Sequence, residues 1–234
     1  MPHAVARLRA ERLARCTKGA PVRGSRRARC ERCRMPPSHC PCALRPAVPT
    51  RAGFALLMHD VEALKPSNTG WLVADVVPDT SAFEWARTEV DPRLPALLAE
   101  PQWQPYVVFP GAAADPARVV QAVAPGRRPL FVLLDASWRN AHKMFHRSPY
   151  LDHLPVLAFS PEELSRYKLR HPVRDVRLCT AEAAALCLGA AGEERAAAAL
   201  DAWLDVFVAR SMAARVNTAP DLQDEAHRRL AQLA

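Results

Sequence analysis

Residues 129–144 read PLFVLLDASWRNAHKM, and this stretch decides the fold class. The apolar run 130–134 stops at Asp135, and a helical pattern begins almost at once. This pattern is typical of a buried parallel strand that carries polar side chains at its carboxyl end. Ligands of open α/β sheets bind there, so Asp135, Ser137 and Trp138 are candidate catalytic residues. The alternative is that Asp135 or Ser137 only caps the following helix.

Short apolar runs alternate with helical patterns along much of the chain. The other strand candidates are 54–59, 106–109 and 154–159, and the helix candidates are 116–124, 138–145, 178–187 and 193–212. Residues 69–75 could start a further helix, and 95–100 resemble one or two helical turns. This alternation predicts an α/β domain with a mainly parallel sheet. Neither a G-x-G-x-x-G nor a Walker A motif is present. The sequence therefore argues against a Rossmann dinucleotide site and against a P-loop.

Composition limits the class of protein further. With 234 residues, half of them hydrophobic, the chain can form one large domain, with or without a small appendage. No apolar run reaches the roughly 18 residues that a membrane span needs, and the N-terminus lacks the apolar core of a secretory signal. We therefore expect a cytoplasmic protein whose seven cysteines are thiols or metal ligands.

The positive charge is concentrated at the N-terminus. Residues 1–50 hold twelve Lys and Arg against two acids, whereas residues 51–234 hold twenty against twenty-two. This asymmetry predicts a polyanionic partner, with nucleic acid first, although a solvated basic tail is the alternative. We expect residues 1–29 to form a basic, largely mobile arm, in which a helix over 4–15 is possible.

Four cysteines follow this arm at the spacing C-x2-C-x6-C-x-C. They are Cys30, Cys33, Cys40 and Cys42. Four thiolates this close in a cytosolic protein suit a tetrahedral structural zinc ion, and free thiols or a redox pair are the alternative. With four cysteines available, His39 is a bystander rather than a ligand.

Polar side chains follow two further strand candidates. His59, Lys65, Asn68 and Thr69 come after strand 54–59, in the kind of loop that often carries function. The next strand ends in Phe109-Pro110-Gly111, where glycine lets backbone approach a ligand closely, unless the segment is a simple loop.

Two later segments suit anions. Residues 165–170, SRYKLR, form a basic loop with one aromatic, which suits phosphates and a stacked base, or else an exposed connection. Thr180 is a plausible N-cap, and the helix that follows it would present free backbone N–H groups to an anion.

Several of these stretches together resemble the DTW-domain family. The family's D-x-T-W motif stands here as Asp135-Ala136-Ser137-Trp138, with serine in place of threonine, so that the hydroxyl is kept and a methyl contact is lost. The stretches CERC…CPC, LMHDVEALKPSNTG, RSPYLDHLP, SRYKLR and LCTAEAAAL resemble further blocks of the family in the same order. The resemblance covers residues 28–210.

The resemblance implies a SPOUT-like, knotted α/β fold with a mainly parallel sheet and helices on both faces. The expected divisions are the arm, a four-cysteine zinc knuckle at 30–48, a catalytic domain at 49–216 and a tail or short helix at 217–234. The implied activity uses S-adenosylmethionine to transfer its 3-amino-3-carboxypropyl group to N3 of a tRNA uridine, releasing methylthioadenosine. An RNA methyltransferase of the same fold and a non-catalytic zinc-containing RNA-binding protein are alternatives. Monomer and homodimer both stay open.

This chemistry assigns roles to the candidate residues. Asp135 is either the general base for the uridine N3 proton or the group that holds the ammonium of the cofactor. Trp138 either stacks on the uridine or supports the loop from behind. The predicted cofactor-binding residues are Phe109, Pro110, Gly111, Leu134, Asp135, Ser137, Arg170, Thr180, Glu182 and Ala183. The predicted RNA-binding residues are His59, Lys65, Asn68, Thr69, Arg139, Lys143, Arg166 and Tyr167. The arginines at 23, 26, 27, 29, 32 and 34 would grip the tRNA backbone together with the zinc knuckle.

Overall fold

A parallel sheet forms the centre of the molecule. The computed structural model describes residues 2–16, 28–160 and 178–233. Within these ranges the strands are β1 Gly53–Met58, β2 Thr80–Glu84, β3 Trp103–Val108, β4 Val119–Val120, β5 Arg128–Asp135 and β6 Val156–Leu157. Their order is β2-β1-β5-β3-β6-β4, and each neighbouring pair is parallel. The predicted α/β class with a mainly parallel sheet is confirmed.

Strand β5 lies between β1 and β3. Residues 129–133 of β5 and the whole of β1 are buried, because both faces of these strands are covered. Met58, the last residue of β1, is in register with Asp135, the last residue of β5. The two strands therefore deliver their following loops to the same edge of the sheet.

Helices cover both faces of the sheet. They are α1 Ala4–Ala14, α2 Gly70–Val76, α3 Arg93–Ala99, α4 Trp138–His146, α5 Thr180–Ala190, α6 Glu194–Val216 and α7 Glu225–Ala231. Phe131 of β5 packs in one hydrophobic cluster with side chains of α1, α2, α5 and α6. Its neighbour Val132 points to the other cluster, which contains side chains of α3 and α4. The alternation of β5 side chains thus joins two hydrophobic layers. None of the described helices is long and apolar enough to cross a bilayer.

The N-terminal helix is part of this layered structure. The possible helix over 4–15 is present as α1, and its residues Val5 and Leu8 are buried in the core. Arg12 forms ion pairs with Asp60 and Glu84 beside the sheet. Burial therefore anchors this segment to the core, and the expected mobility of the rest of the arm stays a prediction. Residues 17–27 lie outside the described residues, and the division into four segments stays a prediction.

The helix predicted at 116–124 is wrong. A short 3-10 turn, Pro116–Arg118, is followed at once by β4, whose Val119 and Val120 pair with β6. The β-branched side chains favour the strand, and pairing at the sheet edge supplies backbone partners that a short helix would lack. The strand predicted at 154–159 is confined to Val156–Leu157, the predicted helix 193–212 extends as Glu194–Val216, and the C-terminal segment contains α7.

Candidate functional site

Asp135 is buried where the carboxyl ends of β1 and β5 meet. Its side chain accepts a hydrogen bond at Oδ2 from Nδ2 of Asn68 and another at Oδ1 from the Thr180 hydroxyl, both at 2.8 Å. Its carbonyl oxygen accepts from the backbone N–H of His59 at 3.0 Å. Side chains from two other segments therefore bind the carboxylate, a third group binds the Asp135 backbone, and the residue is only 4% exposed.

Burial changes the acidity of this carboxylate. Desolvation raises the pKa of Asp135 to about 6, while the hydrogen bonds from Asn68 and Thr180 act in the opposite direction. The group is therefore ionised at neutral pH but is a stronger base than an ordinary aspartate. A carboxylate with a pKa close to the working pH suits general base catalysis.

Gly70 lets helix α2 begin directly against the carboxylate. A Cβ placed on Gly70 would lie 2.3 Å from Oδ2 of Asp135, far inside any real contact distance. No side chain larger than hydrogen is compatible with this packing unless Asp135 moves. Gly70 is not among the site residues predicted from the sequence, although it is the glycine of the Asn68-Thr69-Gly70 block that resembles the family.

The start of helix α5 differs from the prediction. Cys179, not Thr180, is the N-cap, and Oε2 of Glu182 accepts from the Cys179 backbone N–H at 2.5 Å. Thr180 is the first residue of the helix, and its hydroxyl is used to hold Asp135. Glu182 thus caps its own helix, and Ala183 is half-buried in the same turn. The predicted contacts of both residues with the cofactor stay predictions.

Ser137 occupies the N-cap position of α4, but its side chain makes no capping hydrogen bond. Asp135 also does not cap α4, since its oxygens bind Asn68 and Thr180. Neither side chain therefore caps α4, which argues against the alternative that these residues serve only as helix caps.

Trp138 is exposed above a set of stacked rings. Its indole lies 5.8 Å from the Phe109 ring, with 8° between the planes, and Phe109 stacks in turn on Phe145 at 4.4 Å. Trp138 is 41% exposed, whereas Phe109 is 6% exposed. This arrangement presents the Trp138 ring at the surface with an aromatic ring behind it.

The other predicted residues divide between the surface and the interior. Arg139 and Lys143 are exposed on α4, Pro110 is exposed, and Leu134, Gly111 and Thr69 are half-buried. His59 stacks on Trp85 at 6.0 Å, and Lys65 pairs with Glu62 at 2.5 Å. Asn68 is 5% exposed and its side chain binds Asp135, and its predicted contact with RNA stays a prediction. Arg166, Tyr167 and Arg170 lie outside the described residues.

The four N-terminal cysteines form one compact cluster. Their sulfur atoms all lie within 4.8 Å of one another, with 3.7 Å between Cys30 and Cys42 and 3.5 Å between Cys33 and Cys40. A tetrahedral zinc ion with Zn–S bonds of about 2.3 Å separates its sulfurs by about 3.8 Å. The cluster is therefore shaped to hold a metal ion with four thiolate ligands.

Comparison with known families agrees with the motif at the sheet edge. The family model described as the DTW domain matches residues 27–212, which is most of the chain. The chain belongs to the DTW-domain family. This match spans the cysteine cluster, Asn68, Asp135 and Thr180 of the DTW domain, so the resemblance seen in the sequence is confirmed. No solved structure matches the chain significantly. Membership is consistent with a tRNA-modifying enzyme.

Proposed function

We propose that this DTW-domain protein transfers the 3-amino-3-carboxypropyl group of S-adenosylmethionine to N3 of a tRNA uridine. The observation that carries the proposal is the buried carboxylate of Asp135, with a pKa raised to about 6, in the family's D-x-T-W motif at the carboxyl edge of the sheet. A SPOUT-like knotted topology is part of the same proposal, supported by the parallel sheet and the position of the site.

Asp135 has a defined task in this reaction. Uridine N3 carries a proton that must leave as the nitrogen bonds to carbon, and Asp135 accepts it. Each carboxylate oxygen accepts one hydrogen bond, Oδ2 from Asn68 and Oδ1 from Thr180, so each oxygen keeps a lone pair that can accept the proton. When bound, the cofactor supplies an electrophilic carbon whose bond to the sulfonium breaks, so that methylthioadenosine leaves. If Asp135 holds the ammonium of the cofactor instead, the same lone pairs accept its N–H groups.

The start of α4 is the better of two candidate sites for the carboxylate of the cofactor. Its first turn contains no acidic residue, and Ser137 at its N-cap position makes no capping bond. The first turn of α5, by contrast, already contains Glu182. Unsatisfied backbone N–H groups at a helix start attract anions, and the Ser137 hydroxyl is one further donor.

The exposed basic side chains supply the contacts with tRNA. Arg139 and Lys143 lie on α4 directly after the D-x-S-W motif. Arg29 directly precedes Cys30, and Arg32 lies between Cys30 and Cys33. Trp138 offers an exposed ring on which the uridine stacks. Cys30, Cys33, Cys40 and Cys42 would hold a zinc ion and so fix the shape of the chain between them, since thiolates at tetrahedral spacing are the ligands that zinc prefers.

The test uses two labelled preparations of S-adenosylmethionine, one labelled in the methyl group and one in the carboxypropyl chain. Each is incubated with purified protein and unmodified tRNA. We expect the carboxypropyl label, and not the methyl label, to enter tRNA together with release of methylthioadenosine. Transfer of the methyl label would contradict the proposal and identify an RNA methyltransferase. Binding of tRNA with no transfer of either label would identify a non-catalytic RNA-binding protein.

A further inference from the structure

Arg34 is a buried cation within the cysteine cluster. Arg34 is only 2% exposed, and it lies between two other buried residues, Cys33 and Met35. The backbone of Arg34 is left-handed, with φ 65°. Two backbone hydrogen bonds of 2.8 Å close this loop, from Arg34 N–H to the Cys30 carbonyl and from Cys30 N–H to the Met35 carbonyl. A non-glycine residue is uncommon in this conformation, and here it turns the side chain inward.

The guanidinium of Arg34 binds the loop that leads to the active site. Nη1 donates to the carbonyl of Lys65 at 2.5 Å, and Nη2 donates to the carbonyl of Asn68 at 3.2 Å. The Asn68 N–H also donates to the Lys65 carbonyl at 3.1 Å, so this short turn is held at both of its ends. The guanidinium lies 4.0 Å above the centre of the Trp71 ring, which fixes its plane.

The held turn carries the side chain that orients the carboxylate. Asn68 accepts from the Trp71 N–H at its Oδ1, at 3.1 Å, and donates from Nδ2 to Asp135 at 2.8 Å. Direct contacts therefore run from the residue next to Cys33, through Arg34 and Asn68, to Asp135. Each contact is made by buried groups, where a displaced hydrogen bond is not replaced by water.

We propose that Arg34 is a positioning residue that couples the metal site of the cysteine cluster to the Asn68–Asp135 pair. Cys30 and Cys33, as ligands of a metal ion, would be fixed in position, and Arg34 would transmit that position to the turn at 65–68 through its contacts with Lys65 and Asn68. A planar guanidinium can bind two carbonyls and stack on an indole at once, which an ammonium cannot do. The consequence for catalysis rests on the proposed function, whereas the coupling itself does not.

Amide hydrogen exchange of the segment 65–72 tests the coupling without substrate. The variants are Arg34→Gln and, as a matched control that removes an exposed charge from the same loop, Arg32→Gln. With zinc bound, we expect Arg34→Gln to exchange this segment at least about tenfold faster than wild type, as for loss of hydrogen bonds from a charged donor. Zinc content and exchange in β5 should not change. Arg32→Gln should leave the segment at the wild-type rate.

Removal of zinc supplies the second arm of the test. It should accelerate exchange of residues 65–72 in wild type, and it should add little in Arg34→Gln, where the connection is already lost. Wild-type protection in zinc-loaded Arg34→Gln, or equal acceleration by zinc removal in both proteins, would overturn the proposal. If Arg34→Gln does not fold, the same exchange measurement is made on Arg34→Lys. Lysine keeps the charge but not the planar fork, so residues 65–72 should exchange at a rate between those of wild type and a variant without the cation. Exchange at the wild-type rate would contradict the coupling.

Kinetic measurements separate positioning from binding of tRNA. We expect Arg34→Gln to lower kcat for the transfer with little change in the KM for tRNA, and Arg32→Gln to raise that KM with little change in kcat. A pure rise in KM for Arg34→Gln would contradict a positioning role. Absence of transfer by the wild-type protein would count against the proposed function alone, because the exchange experiment needs no activity.

Discussion

Asn68 donates a hydrogen bond of 2.8 Å from its Nδ2 to Oδ2 of Asp135, and the orientation of the Asn68 amide is fixed by a second hydrogen bond. Oδ1 of Asn68 already accepts from the Trp71 backbone N–H, so the amide nitrogen must face the carboxylate. The Asp135 carboxylate is thus bound by the Asn68 side chain, whose orientation the Trp71 backbone fixes. Such preorganisation lets a group act as a base without reorganising during the reaction.

The rate of transfer should depend on the protonation of Asp135. Because the base must be ionised, we expect kcat/KM to rise with pH through about 6 and then to level off. Thr180→Val removes a hydrogen bond that lowers the pKa of Asp135, so the rise in kcat/KM should move to higher pH. Thr180→Ser keeps the hydroxyl and should leave the rise at the wild-type pH. The measurement is kcat/KM between pH 5 and pH 8.

Asp75 provides the control for this profile. Burial raises the pKa of Asp75 to about 6 as well, but its carboxylate binds Trp203 and Arg45, not the site. Asp75→Asn should therefore keep the rise in kcat/KM near pH 6. If this rise disappears in Asp75→Asn and does not move in Thr180→Val, Asp135 is excluded as the titrating base.

The same pKa predicts how Asp135 affects stability. The folded protein holds the Asp135 proton more tightly than the unfolded chain, so burial of this group costs stability increasingly as pH rises from about 4 to about 6. Asn at this position can accept from Asn68 and donate to the Thr180 hydroxyl, which keeps both hydrogen bonds. We expect Asp135→Asn to match wild type near pH 4 and to exceed it by on the order of 3 kcal/mol above pH 6. Urea unfolding across this range measures it, and a difference that does not grow with pH would contradict it.

Gly70→Ala should damage the site while leaving the helix intact. The added Cβ would displace Oδ2 of Asp135, so we expect the transfer rate to fall by at least about a hundredfold, which is the scale of a lost general base. Gly189→Ala is the matched control. Gly189 lies in α5 with nothing near its Cβ position, so this change should keep activity and stabilise the protein by about 0.5–1 kcal/mol. Equal activity in the two variants would refute the close packing of Gly70 on Asp135.

The cysteine cluster predicts a stoichiometric metal. Protein purified without chelator should contain about one zinc ion per chain, and the Cys30→Ser, Cys33→Ser double variant should lose it. Cys16→Ser is the control, since Cys16 lies outside the four-sulfur cluster. Elemental analysis measures the content. Metal-free wild type, or a loss in Cys16→Ser equal to that in the double variant, would show that the four sulfurs are not the ligands.

Local patterns account for the parts of the site that the sequence predicted. The apolar run before Asp135 predicted a buried strand, because a strand covered on both faces has no polar alternation. Cysteine spacing predicted the four-sulfur cluster, because its ligands lie within thirteen residues of one another. Both features depend on residues that are close along the chain.

The features that the sequence did not predict depend on contacts between distant segments. Thr180 resembles an N-cap by composition, but Cys179 occupies that position and frees Thr180 for Asp135, 45 residues away. Arg34 resembles an exposed basic residue in a polar loop until Lys65 and Asn68 are placed against it. The segment 116–124 has helical composition, and pairing with β6 overrides it.

The most direct test of the proposed transfer is mass spectrometry of tRNA nucleosides from cells with and without the gene for this protein. We predict that a uridine carrying the 3-amino-3-carboxypropyl group is present with the gene and lost without it. Wild-type protein should restore this nucleoside, and Asp135→Asn should not. Loss of a methylated uridine instead, or an unchanged nucleoside profile, would contradict the account.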